Sequence, residues 1–370
     1  MNNLFAILLI VAVVGAASLA PAPVYYVDVA TGNDANSGLD SDVAWATIEK
    51  GMETVAAGDK VWVLAGTYTA EHGSTGAIGS LVTAGGSTTP IVFEGWNGVS
   101  TGTHTGDGTM GCVILDCGPN ALVNGLILTG ESYYVIKFFR VTGASGNGFS
   151  AATLTRSALY MCKANNNGGI GLTYGANTAA VGCLAENNTG HGIYALEAIN
   201  CISRTNTQWG IVGGTDSHFI GCSVTNNGNT QMLSGFRSTV YACTIDGGNT
   251  DKGIDEARSY SHILNTIIFD CTNGITGTAG SEELAISLYN IYYSNTNNVV
   301  NWPTDPSDVF GDPLFVDAAN NDYRLGTGSP ALAAGLDVGV IDGITSTSYI
   351  DIGALQAQPT GGTTVIVIDD

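Results

Sequence analysis

The sequence predicts an all-β chain wound as a right-handed parallel β-helix, and three observations predict it. First, a short cysteine-centred pattern returns: Met161-Cys162-Lys163-Ala164, Gly182-Cys183-Leu184-Ala185, Asn200-Cys201-Ile202-Ser203, Gly221-Cys222-Ser223-Val224 and Ala242-Cys243-Thr244-Ile245, each followed by Gly-Ile or Gly-Phe. The cysteines lie 21, 18, 21 and 21 residues apart, inside the period range of repeat architectures. Second, a repeat of roughly 20 residues is too short for a helix pair, and no 3.6-residue stripe is sustained. Each copy instead holds an alternating apolar run, an Asn/Gly-rich corner such as Asn165-Asn166-Asn167-Gly168, and a second run opening at Gly-Ile. Third, 51 glycines in 370 residues with only 12% charged residues describe a chain that turns constantly without being disordered. Phe139 with Phe149 forms an earlier copy, and Thr266 with Gly274-Ile275 and Asn290 with Val299 form later ones, making eight.

Stacked turns bring equivalent residues about 4.8 Å apart along the axis, so each position becomes a ladder. Taking the cysteine as position zero, positions −2, 0 and +2 (Val181-Cys183-Ala185, Ile199-Cys201-Ser203, Ile220-Cys222-Val224, Tyr241-Cys243-Ile245) are expected to point inward. Positions +1 and +3 then point outward and carry Arg140, Lys163, Glu186, Arg204 and Asp246. The five repeat cysteines read as small buried hydrophobes, because in-register parallel side chains fit disulfide geometry poorly. Cys112 and Cys117 are the pair expected to form a bridge. No Cys-x-x-Cys pair or His/Cys grouping indicates zinc, and no metal ligands are assigned.

Taken in order, the chain opens with an apolar run from Leu4 to Val14 and small residues up to Ala20, which reads as a signal peptide over residues 1–20. The run falls short of the roughly 20 residues of a spanning helix, so no transmembrane span is expected after cleavage. Residues 24–68 read as an N-terminal cap and first strand: Tyr25-Tyr26-Val27-Asp28 as strand, Ala46 to Ala57 as a short amphipathic helix stopped by Gly58-Asp59, and Lys60 to Tyr68 as strand. Residues 69–302 are β-helix coils with loops, and 303–370 an acidic closing segment. The cap pieces Tyr26-Val27, Gly32-Asn33-Asp34, Ala46-Thr47-Ile48, Gly58-Asp59 and Gly66-Thr67-Tyr68 resemble, in order and spacing, those of secreted β-helix proteins of the pectate-lyase-like superfamily. The closing segments Asp312-Pro313-Leu314-Phe315-Val316-Asp317 and Gly328-Ser329-Pro330-Ala331 resemble the ends of bacterial surface members. That resemblance implies the fold and a secreted or cell-surface location. It does not fix the chemistry.

Charge narrows the partner class. The net charge is −21, yet residues 133–302 hold ten acids and eight bases, whereas Asp305 to Asp370 hold ten acids and one base. Nucleic acid is excluded by the lack of clustered Lys and Arg. A polysaccharide or cell-surface glycan meeting the balanced middle is the expected partner.

Lyases that resemble this fold need a Lys or Arg base beside positive charge that stabilises the intermediate. Lys163, Arg140, Glu186 and Arg204 are the candidates for that role, as one polar row. Trp209, Tyr194 and Asp246 are candidates for substrate contact, the aromatics by stacking on sugar rings. The hydrolase alternative fares worse. Gly190-His191-Gly192 resembles the polygalacturonase motif, but Asn165-Asn166-Asn167 stands where paired acids belong, so neither acid nor base is supplied. Asp246, Asp251, Asp255 and Glu256 fall within one turn and suggest Ca²⁺ through oxygen ligands, without matching a calcium-loop spacing. The expected function is extracellular binding, with uronic-acid lyase cleavage if catalytic. The alternative is a non-catalytic surface, adhesive or phage-spike rod.

Overall fold

The computed structural model describes residues 22–69, 76–96, 112–128, 133–151, 156–173, 178–280, 283–336 and 351–354. The expected signal peptide lies outside them. The chain divides into two compact units, Met1–Leu196 and Glu197–Asp370. Each consists of parallel strands stacked turn upon turn, the right-handed parallel β-helix that the repeats predict.

In the first unit a full turn contributes three strands, as in Ala158–Tyr160, Lys163–Asn165 and Leu172–Thr173. The first strand type stacks Val24–Val27, Lys60–Leu64, Ile91–Trp96, Tyr134–Lys137, Ala158–Tyr160 and Ala179–Val181 into one sheet. The other two types build a second sheet, in which Lys163 pairs with Arg140 on one side and with Leu184 on the other. The chain entry is fastened by side-chain hydrogen bonds. Asp34 accepts from the Ala46 N–H at 2.8 Å and the Thr47 N–H at 3.0 Å, and Thr47 caps the helix Ile48–Thr54 by accepting from the Lys50 N–H at 3.1 Å. That helix buries Ile48 and Met52 against Gly79, where a Cβ would lie 2.7 Å from the Met52 sulfur. Gly58 at φ 95° ends the segment after it, with the Asp59 carboxylate holding the Ala56 N–H at 2.7 Å.

In the second unit the sheets continue the same pattern, and an antiparallel pair, Phe315–Asp317 with Asp322–Leu325, lies in the closing segment. This segment packs Tyr323, Ala331 and Ile352 onto Ile267, Phe269 and Ile291, forming a separate core. Those three residues belong to the outward columns of the second sheet, so the closing segment roofs that face of the unit.

The cysteine ladder is inward as expected: Cys162, Cys183, Cys201, Cys222 and Cys243 are fully buried, with Ala164, Ala185, Ser203, Val224 and Ile245 at position +2. Position −2 is a correction. Tyr160, Val181 and Ile199 are only half-buried, whereas the residue before each, Leu159, Ala180 and Ala198, is fully inside. The cause is the residue between −2 and 0. Met161, Gly182, Asn200, Gly221 and Ala242 all adopt left-handed backbone with φ between 51° and 64°, which bends the chain and resets the strand alternation. Ile220, Tyr241 and Ala242 therefore form a satellite cluster outside the main core.

The expected Cys112–Cys117 bridge is also corrected, since both are free thiols. The strand Val113–Asp116 separates them, and at about 3.3 Å per residue the two stand far beyond the roughly 7 Å limit for bridging. Burial beside Asp116 pushes the Cys117 thiol up to about 12.

Asparagines hold the other corner. In the first unit Asn167 and Asn188 are buried, and Asn167 donates from Nδ2 to Asn188 Oδ1 at 2.9 Å. In the second, Asn206 does the same to Asn227 at 2.9 Å. The preceding residues, Asn166, Asn187, Thr205 and Asn226, are left-handed at φ 53–57°. The turn is therefore built from one strained exposed residue and one buried amide.

Candidate functional site

Three of the predicted site residues come together in the first unit. Arg140 and Lys163 occupy facing positions of adjacent rungs on the second sheet. Glu186 registers with Asn165 rather than with Lys163, two residues further along the strand. Even so, the long lysine side chain crosses diagonally and Lys163 Nζ lies 2.7 Å from Glu186 Oε1. Arg140 Nε donates to Asn165 Oδ1 at 2.8 Å, and Asn165 is buried. The result is a polar row of two cations, one acid and one amide, with Lys163 23% exposed and Glu186 12%. Alternation places it outside because Val141, Ala164 and Ala185 on the same strands point in.

This arrangement bears on the base reading. A lysine takes a proton only after losing its own, and Lys163 in its paired state is the donor to Glu186. Arg140 donates to Asn165. The row presents charged groups and hydrogen-bond donors on one face.

The remaining candidates lie elsewhere. Tyr194 belongs to the first unit and is 43% exposed, beside Thr173 in register. In the second unit Arg204 sits at the end of the strand Ile202–Arg204 and is half-buried, as is Trp209 in the corner before Ile211–Val212. Asp246 is a correction. It was expected on the open row, but it is only 6% exposed, accepting from the Tyr323 hydroxyl at 2.9 Å and the Gly248 N–H at 2.8 Å. The closing segment covers it. Burial raises its carboxyl pKa, opposed by the two donated hydrogen bonds, while nearby Asp270 adds to the rise. Burial likewise raises the Tyr323 hydroxyl, reinforced by Asp246.

The acids suggested for Ca²⁺ have protein partners. Asp255 pairs with Lys252 at 2.7 Å, Glu256 with Arg258 at 2.9 Å, and Asp246 with Tyr323; the Asp251 side chain lies outside the described residues. No group of three or more metal-ligating side chains gathers among the described residues. His191 is a half-buried corner residue whose pKa burial lowers. Lys252 was missed by reading that turn only for its acids. It stands beside Thr230 and Asn273 in register, at 34% exposure, within the strand Thr244–Ala257 just before Gly253-Ile254.

No family model matches the chain, and no curated protein matches it. Solved structures do. The pectate lyase Pel9A shares 15% identity at a TM-score of 0.67, covering 92% of this chain and 98% of its own. A rhamnogalacturonan lyase shares 19% identity at a TM-score of 0.50, over 75% of this chain and 74% of its own. At such identities the likeness establishes the architecture alone, a parallel β-helix. No helix among the described residues is long and apolar enough to cross a membrane.

Proposed function

We propose that the protein is an extracellular polysaccharide-binding β-helix, and that the row of Arg140, Lys163, Glu186 and Asn165 is a contact surface for a uronic-acid polymer. The observation that carries the reading is the in-register pairing of Arg140 with Lys163 on one outward face. Two cations a rung apart, about 4.8 Å, match carboxylates repeated along an extended sugar chain, the flanking acid supplies a hydroxyl partner, and the buried Asn165 amide orients Arg140. The leader-like residues 4–20 support export. The Lys163–Glu186 ion pair, which engages the side chain a lyase would use as base, supports binding over cleavage.

A glycan array followed by calorimetry with uronic-acid polymers tests this. Binding that falls at least about tenfold, roughly 1.4 kcal/mol, in Arg140→Ala and in Lys163→Ala is the expected outcome. Equal affinity in both variants would remove the row from the function. Ultraviolet absorbance of unsaturated uronate, followed with and without Ca²⁺, tests cleavage separately. A steady rise lost in Lys163→Ala would restore the lyase reading.

A further inference from the structure

We infer that the outer face of the first sheet in the first unit is a second saccharide-binding strip, suited to a neutral pyranose chain. Register aligns Tyr26, Trp62, Glu94, Lys137 and Tyr160 in one column over five consecutive rungs. Trp96, paired with Leu64, flanks that column. All three large rings at its start are half-buried rather than inside. They hold one another: Tyr26 meets Trp62 edge-on at 5.3 Å and 76°, and Trp96 at 5.8 Å and 64°, while Trp62 and Trp96 are 5.7 Å apart at 35°.

The polar groups beside the rings are already matched among themselves. Glu94, 5% exposed, receives Lys60 at 2.9 Å and Lys137 at 3.4 Å on the same oxygen. Lys60 also lies 5.0 Å from the Trp62 ring centre. Two ammonium groups therefore share one carboxylate, which keeps them oriented and leaves a single positive charge within the acidic stretch around it. The strip's own stretch of chain, residues 22–96, carries nine acids against two lysines, a field that repels polyanions. What fits is an uncharged chain whose C–H faces lie on indole and phenol rings while its hydroxyls reach the lysine ammonium groups that Glu94 orients. A column repeating about every 4.8 Å offers roughly one position per sugar of an extended polymer. Rings fixed by mutual contact lose little freedom on binding.

The strip lies on a different sheet from the Arg140–Lys163 row and does not depend on it. The full chain is titrated with soluble β-1,4-linked hexasaccharides of glucose, mannose and xylose while tryptophan fluorescence is followed. At least one should give a saturable emission shift that Trp96→Ala weakens at least tenfold and that the Arg140→Ala/Lys163→Ala double variant leaves unchanged. No saturable shift with any hexasaccharide, or a shift surviving Trp96→Ala, overturns the proposal. Should Trp96→Ala fail to fold, indole N–H resonances of the unsubstituted protein decide. Its five tryptophans are at 45, 62, 96, 209 and 302, with Trp62 and Trp96 assigned by single Trp→Phe substitutions. Shifts at those two support the strip. Shifts confined to the other three overturn it, as does a response at the strip to a galacturonate hexamer alone.

Discussion

Asn227→Ala should cost the second unit several kcal/mol, although it removes one small side chain from a corner. The side chain is fully buried. Its Oδ1 accepts from the Asn206 N–H at 3.1 Å and from Asn206 Nδ2 at 2.9 Å, and its Nδ2 donates to Ser203 O at 3.0 Å and Gln231 Oε1 at 2.9 Å. Truncation removes four hydrogen bonds at a place water does not reach. Gln231 Oε1 keeps the Asn227 N–H at 3.0 Å, and Asn206 Nδ2 keeps Ser203 Oγ at 3.2 Å. The Asn206 N–H is the group that loses most. One buried donor stranded at about 1–3 kcal/mol, plus the smaller losses of the bonds that re-pair, gives about 3–5 kcal/mol. The neighbouring Asn226 provides the contrast. It is exposed and left-handed at φ 53°, so Asn226→Gly should change stability by less than about 1 kcal/mol. Urea unfolding of both variants, with exchange of the Asn206 amide followed in the native state, measures the difference. A loss below about 1 kcal/mol for Asn227→Ala, or equal losses for the two variants, would refute the view that the buried amide ladder fixes the corner.

Three further outcomes follow from the same contacts. A thiol reagent should label only Cys112 in the native protein and all eight cysteines in denaturant, because the other seven are buried and none is bridged; six labelled thiols in denaturant would reinstate the Cys112–Cys117 disulfide. Tyr323→Phe should lower stability by about 1–3 kcal/mol by leaving the buried Asp246 carboxylate short of a donor, read as a drop in the urea midpoint; an unchanged midpoint would mean that the closing segment is held by its apolar contacts alone. Burial lowers the His218 pKa against the upward pull of Asp216, so the folded state favours the neutral ring. Its contribution is complete above the ordinary value of about 6.5 and is lost as pH falls below it. Thermal midpoints between pH 7 and pH 5 should therefore fall less in His218→Gln than in the unsubstituted chain, where His191 contributes in the same direction.

The fold was legible because a solenoid writes its period into the chain. Cys162 to Cys243 marked the inward rung, and the +2 residues followed by simple alternation. Alternation failed at position −2, where a single left-handed residue such as Met161 or Ala242 shifts the phase by one. No composition signal marks that residue, which is variously Met, Gly, Asn or Ala, so only backbone geometry reveals it. The site was legible in part for the same reason. Arg140 and Lys163 share a strand position and fall together, whereas Glu186 and Arg204 hold position +3, and Glu186 meets the row through the reach of the Lys163 side chain. Asp246 failed for another reason: its cover comes from Tyr323, 77 residues later, and strand periodicity carries no information about a segment that folds back over the sheet.

The distinction between a face and its cover also separates the two surfaces proposed for sugar. Lys60-Val61-Trp62-Val63-Leu64 alternates outward and inward as regularly as any strand in the chain, and a Trp at an outward position between a Lys and a Leu is a stronger sign of contact than a Trp at a corner. The Arg140–Lys163 row, by contrast, is polar throughout. A surface built chiefly of rings, with its ions paired, selects by shape, whereas one built of unlike charges selects by charge and weakens as salt rises. Binding of a uronic-acid polymer should therefore fall steeply with added salt, and binding of a neutral hexasaccharide should not. A single polymer that occupies both sites with the same salt dependence would show that the two faces are not the independent surfaces their chemistry describes.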